Sequence, residues 1–157
     1  MKMYERVISV DRHVDVALAR IAGGEIADRA EFGSVAKYCV IISISELGNN
    51  ILFHAGSGTI RIRIIENEEN KLGVEVLASD RGKGIADIPF ALRDGFSTKG
   101  SIGGGLPAVS RLMSEMRISS AVGKGTLVCA IKWADQNPMP IYNTPRPVTV
   151  SNEIDTW

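Results

Sequence analysis

The chain has 157 residues, 45% of them hydrophobic, which suits one domain built on one core. Lys plus Arg and Asp plus Glu both count 18, so no global basic field is available to hold a nucleic acid or an anionic membrane. No apolar run reaches the about 18 residues of a membrane span, and the start Met1-Lys2-Met3-Tyr4-Glu5-Arg6 has no signal-peptide core behind it. The expected location is therefore the cytoplasm. Cys39 and Cys129 lie in separate apolar runs, as expected of reduced core thiols.

Residues 4–10 read as a short strand, after which Asp11 can cap a helix to about residue 31, with Val14, Ala17, Leu18 and Ile21 as its core face. Gly23-Gly24 weakens the middle of that helix. A more apolar helix follows over 34–54, its stripe formed by Val40, Ile41, Ile44, Leu47, Ile51 and Leu52 and its end marked by Gly56-Ser57-Gly58. Ile60, Ile62 and Ile64 alternate with Arg61 and Arg63, and Gly73–Ala78 supplies a second strand after the polar turn 66–71, which predicts a hairpin. A Gly-rich loop then leads into a helix over Leu106–Met116, and strands 117–122 and 126–133 flank the turn Gly123-Lys124-Gly125. Helices grouped between hairpin-joined strands predict an α/β (α+β) fold, a two-layer sandwich of a mixed, mostly antiparallel sheet with helices on one face. From Ala134 onward Asn137-Pro138-Met139-Pro140 and Thr144-Pro145-Arg146-Pro147 interrupt any helix or central strand, so residues 1–133 read as the domain and 134–157 as a Pro-containing extended tail, read as passive, with disorder or a course along the domain or a neighbouring subunit as the alternatives.

Three constellations carry chemistry. Glu46 and Asn50 stand four apart on the second helix and share one face, with His54 a turn further on. They are either a surface pair near a frayed end or a polar pair facing a cleft, since such groups in an apolar helix are costly unless satisfied. Asp80 follows directly on a strand, and Gly82 and Gly84 keep the next main chain bare. Its carboxylate can accept from an exocyclic amine such as N6 of adenine, or close an Asx-type turn on its own loop. Gly103-Gly104-Gly105 precede Leu106 and Pro107, and Pro107 fits the first turn of a helix. Free amides and a positive dipole end make that helix start an anion site, at a glycine cost of about 1 kcal/mol each against alanine. No Walker A pattern occurs, and a long loop rather than a strand precedes the glycines, so neither the P-loop nor the dinucleotide fingerprint applies.

In order and spacing, Glu46-Leu47-Gly48-Asn49-Asn50, Asp80-x-Gly82-x-Gly84 and Gly103-x-Gly105-Leu106 resemble the N, G1 and G2 boxes of the GHKL superfamily, which contains gyrase, heat-shock chaperones, histidine kinases and MutL. With Glu46 at the first N-box position the chain is similar to the anti-sigma-factor type of serine/threonine kinase. Ile44-Ser45-Glu46-Leu47, Asp94-Gly95-Phe96-Ser97-Thr98, Gly105-Leu106-Pro107 and Ala130-Ile131-Lys132-Trp133 resemble the switch kinases of bacterial stressosomes. The resemblance implies a Bergerat-type ATP-binding fold with ATP and Mg²⁺ as cofactors. It implies Asn50 as Mg²⁺ ligand, Asp80 on adenine with Thr126 supporting that contact, and Gly103 and Gly105 with Leu106 around the phosphates. Residues 94–104 would be the ATP lid, with Lys99 expected to stay solvated, and Glu46 the catalytic base toward a Ser or Thr hydroxyl. Implied partners are STAS-domain proteins of the scaffold or antagonist kind and a downstream regulator, with neither nucleic acid nor membrane.

The alternatives are a non-catalytic, nucleotide-dependent anti-sigma or partner-binding module, and a histidine-kinase-type catalytic domain. His13 and His54 are the only histidines, and no dimerisation hairpin of the histidine-kinase sort is seen, so autophosphorylation is not expected. A stand-alone chaperone-type or topoisomerase-type ATPase would need a transducer domain beyond these 157 residues.

Overall fold

The computed structural model describes residues 4–93, 105–134 and 147–154. In chain order they form β1 (Glu5–Val10), α1 (His13–Arg29), α2 (Ser34–His54), β2 (Gly58–Glu66), β3 (Leu72–Asp80), α3 (Ile88–Ala91), α4 (Gly105–Leu112), β4 (Glu115–Ala121), β5 (Gly125–Trp133) and β6 (Val148–Ser151). The sheet runs β1-β2-β3-β5-β4-β6, antiparallel except for the parallel pair β4–β6. This is the expected two-layer sandwich with a mixed, mostly antiparallel sheet.

Period-2 patterning fixes which sheet face meets the helices. Ile60, Ile62 and Ile64 lie opposite Ala78, Val76 and Val74 on β3, and those three lie opposite Val128, Ala130 and Lys132 on β5. All nine side chains are buried, and α2 packs over β3 and β5. Each large apolar side chain removed from water this way stabilises the fold by roughly 1.5–3 kcal/mol. On the opposite face Arg61 and Arg63 meet Glu75, with Arg63 Nε donating to Glu75 Oε1 at 2.8 Å.

The core face of α1 differs from the sequence expectation. Val14, Leu18 and Ile21 are 50%, 51% and 60% exposed, while Val16, Ala19, Ala22, Gly23, Ile26 and Ala27 are buried. Small residues won because they bring two helix backbones together. A Cβ on Gly23 would sit 2.2 Å from Ile44 Cδ1, and one on Gly48 would sit 2.9 Å from Val16. The glycines expected to weaken α1 are its contact with α2. Its start also shifts: Arg12 is the cap residue, and Asp15 Oδ2 accepts from the Asp11 and Arg12 amides at 2.9 Å each. Those hydrogen bonds hold the Asp15 carboxyl below its ordinary value. Within α2 the expected stripe holds for Val40, Ile44, Leu47 and Ile51, whereas Ile41 and Leu52 are only partly buried.

Two elements were not expected. α3 is one turn, closed by Asp87 Oδ1 accepting from Phe90 N at 3.0 Å. β6 comes from the segment read as a passive tail: Val148–Ser151 adds to the β4 edge with Met116 opposite Val148, and Ser119 Oγ hydrogen-bonds the Glu153 carbonyl. Short edge strands tolerate Pro-rich flanks because only one side pairs.

The loop after β3 is held beneath the β4–β5 turn, where Gly123 N donates to Lys83 O at 2.9 Å. Gly84 sits there at φ +76°, and a Cβ would come 2.1 Å from the Ala121 carbonyl oxygen. Gly84→Ala is therefore expected to destabilise the protein by about 2–4 kcal/mol, read as a lower urea midpoint at unchanged slope. A loss under about 0.5 kcal/mol would show that this loop can relax away from β4, within the range of a neutral surface change.

Candidate functional site

Between α2, the ends of β3 and β5, the loop 81–85 and the start of α4 lies a cavity of about 250 Å³. Its walls are mostly apolar: Leu47 and Ile51 from α2, Ala78 from β3, Ile85 from the loop, Leu106 from α4 and Val128 from β5. A few polar groups converge on it, namely Asn50, His54, Asp80, Lys83 and Thr126, with Gly84 and Gly105 supplying main chain. An apolar slot with few fixed polar groups is the usual form of a small-molecule site.

Asp80 is half-buried at the last position of β3, opposite Thr126 of β5. Its Oδ1 accepts from Gly82 N at 2.8 Å, so the Asx-type turn is formed and leaves the carboxyl pointed by its own loop. Burial raises its pKa above the ordinary 3.8, against the lowering effect of hydrogen bonds from the Gly82 and Thr126 main chain. His54 moves the other way: burial, then the Lys83 ammonium, lower it from 6.5, against the Asp80 carboxyl, so the imidazole is neutral at pH 7. Its ring packs edge-on against Phe53, centroids 4.9 Å apart.

Gly82 packs against the end of α2. It does not line the cavity; a Cβ there would meet the His54 carbonyl and Ala55 at 2.7 Å, so it lets the loop close onto the end of α2. Thr126 joins a network the sequence reading missed. Ser120 of β4, fully buried, accepts from Ile85 N at 2.8 Å, and its hydroxyl reaches Gly125 O at 2.9 Å and Thr126 Oγ1 at 2.8 Å. The only sequence signal for it was a serine on the core-facing phase of a strand.

Glu46 lies deeper, 1% exposed, and is not among the cavity's lining residues. Its Oε2 accepts from Gly105 N, the first amide of α4, at 3.0 Å. Gly105 adopts φ +67°, the left-handed region open to glycine at little cost. At the other end of α4, Lys132, 4% exposed, donates from Nζ to Leu112 O at 3.0 Å. A buried anion at its N-terminus and a buried cation at its C-terminus thus match the dipole of this short helix. Lys132 was legible as the one charge on the core-facing phase of β5, but its partner was not. Gly103, Lys99 and the rest of the expected lid, 94–104, lie outside the described residues.

Residues 10–132 match the family described as histidine kinase-like ATPase domain. The chain is 43% identical over 119 residues to the serine/threonine-protein kinase RsbT of Bacillus subtilis, covering 76% of this chain and 89% of that relative. The chain belongs to the histidine kinase-like ATPase domain family. It is also 35% identical over 103 residues to an anti-sigma F factor of Caldanaerobacter subterraneus, covering 60% of this chain and 68% of the factor. Within this ATP-binding family the chain is a protein serine/threonine kinase. No helix among the described residues is long and apolar enough to cross a membrane.

Asp80 gives a test that separates function from stability. Its raised pKa means that the buried charge costs stability above the ordinary 3.8, so Asp80→Asn should leave the thermal midpoint unchanged or higher at pH 7. If the charged carboxyl holds a ligand amine, the same variant weakens adenine-nucleotide binding by about 10- to 100-fold. Wild-type affinity should likewise fall with pH at values above 3.8, as the carboxyl protonates early. Isothermal titration across pH measures both effects.

Proposed function

We propose that this kinase transfers the γ-phosphoryl group of Mg²⁺·ATP to a Ser or Thr of STAS-domain proteins, of the stressosome-scaffold or anti-anti-sigma kind, and switches between these and a downstream regulator in the cytoplasm. The observation that carries the reading is the cavity in which α2, β3 and α4 bring Asn50, Asp80 and Gly105 to one apolar slot. Likeness to both a serine/threonine kinase and an anti-sigma factor supports the partner-switching part. In this reading residues 1–133 are the kinase domain and 134–157 a tail whose Val148–Ser151 adds an edge strand to the domain's sheet.

The residues present fit an adenine nucleotide. Ile51, Ala78, Ile85 and Val128 offer apolar walls to a heterocycle, and Asp80 stands among them as an acceptor for its amine. Thr126 and Ser120 hold the strand ends that aim Asp80. Gly105 and Leu106 bring the start of α4, a positive dipole end, to the same cavity, where phosphate oxygens would be stabilised, with Gly103 assigned alongside. Asn50 offers a neutral hard oxygen, which suits Mg²⁺, an ion that commonly takes few protein ligands and completes its shell with phosphates and water. That ion, when bound, neutralises charge developing on the phosphates.

Glu46 is assigned as the base. Phosphoryl transfer passes through a loose transition state, so the carboxylate chiefly aims the substrate hydroxyl and takes its proton late. Glu46→Gln keeps the side-chain shape and should retain ATP binding while transfer to a purified STAS partner, followed with radiolabelled ATP, falls by roughly 10²- to 10⁴-fold. Transfer at the wild-type rate would remove Glu46 from this role. Complex formation that depends on ATP but leaves the partner unlabelled would favour a non-catalytic binding module, and label retained on histidine of the chain itself a histidine-kinase-type domain.

A further inference from the structure

We infer that Glu46 and the nucleotide phosphates compete for one main-chain donor, the Gly105 N–H, so that the nucleotide-free kinase holds its own base in check and ATP releases it. The inference rests on the assignment of Glu46 and of the α4 start given above, and adds a regulatory link between them.

Three observations carry it. Glu46 is buried and its Oε2 already accepts from Gly105 N at 3.0 Å, a contact that ties α2 to a residue 59 positions away. Gly105 also lines the cavity, as Asn50 does, so the residue whose amide Glu46 holds borders the space a phosphate would occupy. Lys132, buried on Leu112 O, fixes the far end of α4 and limits how far the helix can shift to serve both anions. One N–H cannot make two full hydrogen bonds, and the partial positive charge of a helix start, about half a unit, is already engaged by a carboxylate.

The consequence is a linkage. Whatever free energy the carboxylate gains from Gly105 is subtracted from phosphate binding, and phosphate binding in turn loosens the hold of Gly105 on Glu46. The base becomes available when there is a phosphoryl group to transfer.

Two measurements on the full chain test this. Titration calorimetry should show Glu46→Gln binding ATP about five- to twentyfold more tightly than wild type, because a neutral amide oxygen competes less well for the helix start. Adenosine, which lacks phosphates, should bind both proteins equally. Loss of the carboxylate could tighten ATP binding by charge alone, so the Gly105 amide resonance decides. In two-dimensional NMR its position should differ between wild type and Glu46→Gln without nucleotide, and the two should converge at saturating ATP analogue and Mg²⁺. A difference that persists at saturation, or equal ATP affinities, overturns the inference. Lost transfer with unchanged affinity would leave the catalytic assignment standing and sink the competition alone; converging resonances with undiminished transfer would do the reverse.

Discussion

A carboxylate buried in the core-facing surface of α2 constrains everything around it. Glu46 has almost no access to water, and an ionised carboxylate so placed is costly unless hydrogen-bonded donors replace the solvent. The start of α4 supplies one such donor together with its dipole, and Lys132 on β5 answers at the helix's other end. An eight-residue helix is too short to be stable by itself. Its position therefore depends on side chains from two other elements, and the cavity edge it forms inherits that position.

The rest of the cavity is shaped by close backbone approaches. Gly23 and Gly48 bring α1 and α2 together, Gly82 seats the loop after β3 on the end of α2, and Gly84 passes under the Ala121 carbonyl. At Gly82 and Gly84 a Cβ would run into main chain, 2.7 Å from the His54 carbonyl oxygen and 2.1 Å from the Ala121 carbonyl oxygen, so the loop that borders the slot has little freedom to move. Packed interiors transmit such constraints because they contain few voids. A site whose width is set by main chain can discriminate flat rings without dedicating many side chains to the task.

What the sequence made legible followed from periodicity. The bounds of α2, read as 34–54, are those observed, because a long apolar stripe ending at Gly56 admits few alternatives. The β2–β3 hairpin was equally plain. The face of α1 was not, since a count of large apolar residues favours Val14, Leu18 and Ile21 while helix-to-helix proximity favours Ala19, Ala22 and Gly23. β6 was obscured by flanking prolines, and α3 by its single turn. At the site, the family resemblance groups Asn50, Asp80, Gly84 and Thr126, and they share the cavity. The links from Glu46 to Gly105, from Ser120 to Ile85 and from Lys132 to Leu112 join residues distant in sequence, where no local pattern reports contact.

The electrostatics of the cavity divide it into unlike ends. At the end near Asp80 and His54, burial is the largest influence on both groups, raising the acid and lowering the base, so each is driven toward its neutral form. The Lys83 ammonium also acts on His54 at that end, and Ser120 commits its hydroxyl to the protein's own strands rather than to solvent. At the other end the α4 dipole faces the cavity and attracts negative charge. In the proposed assignment a neutral heterocycle lies at the first end and its phosphates at the second. With phosphates at the α4 start, Asp80 in that assignment has only to choose among bases, which is how so few polar residues can suffice.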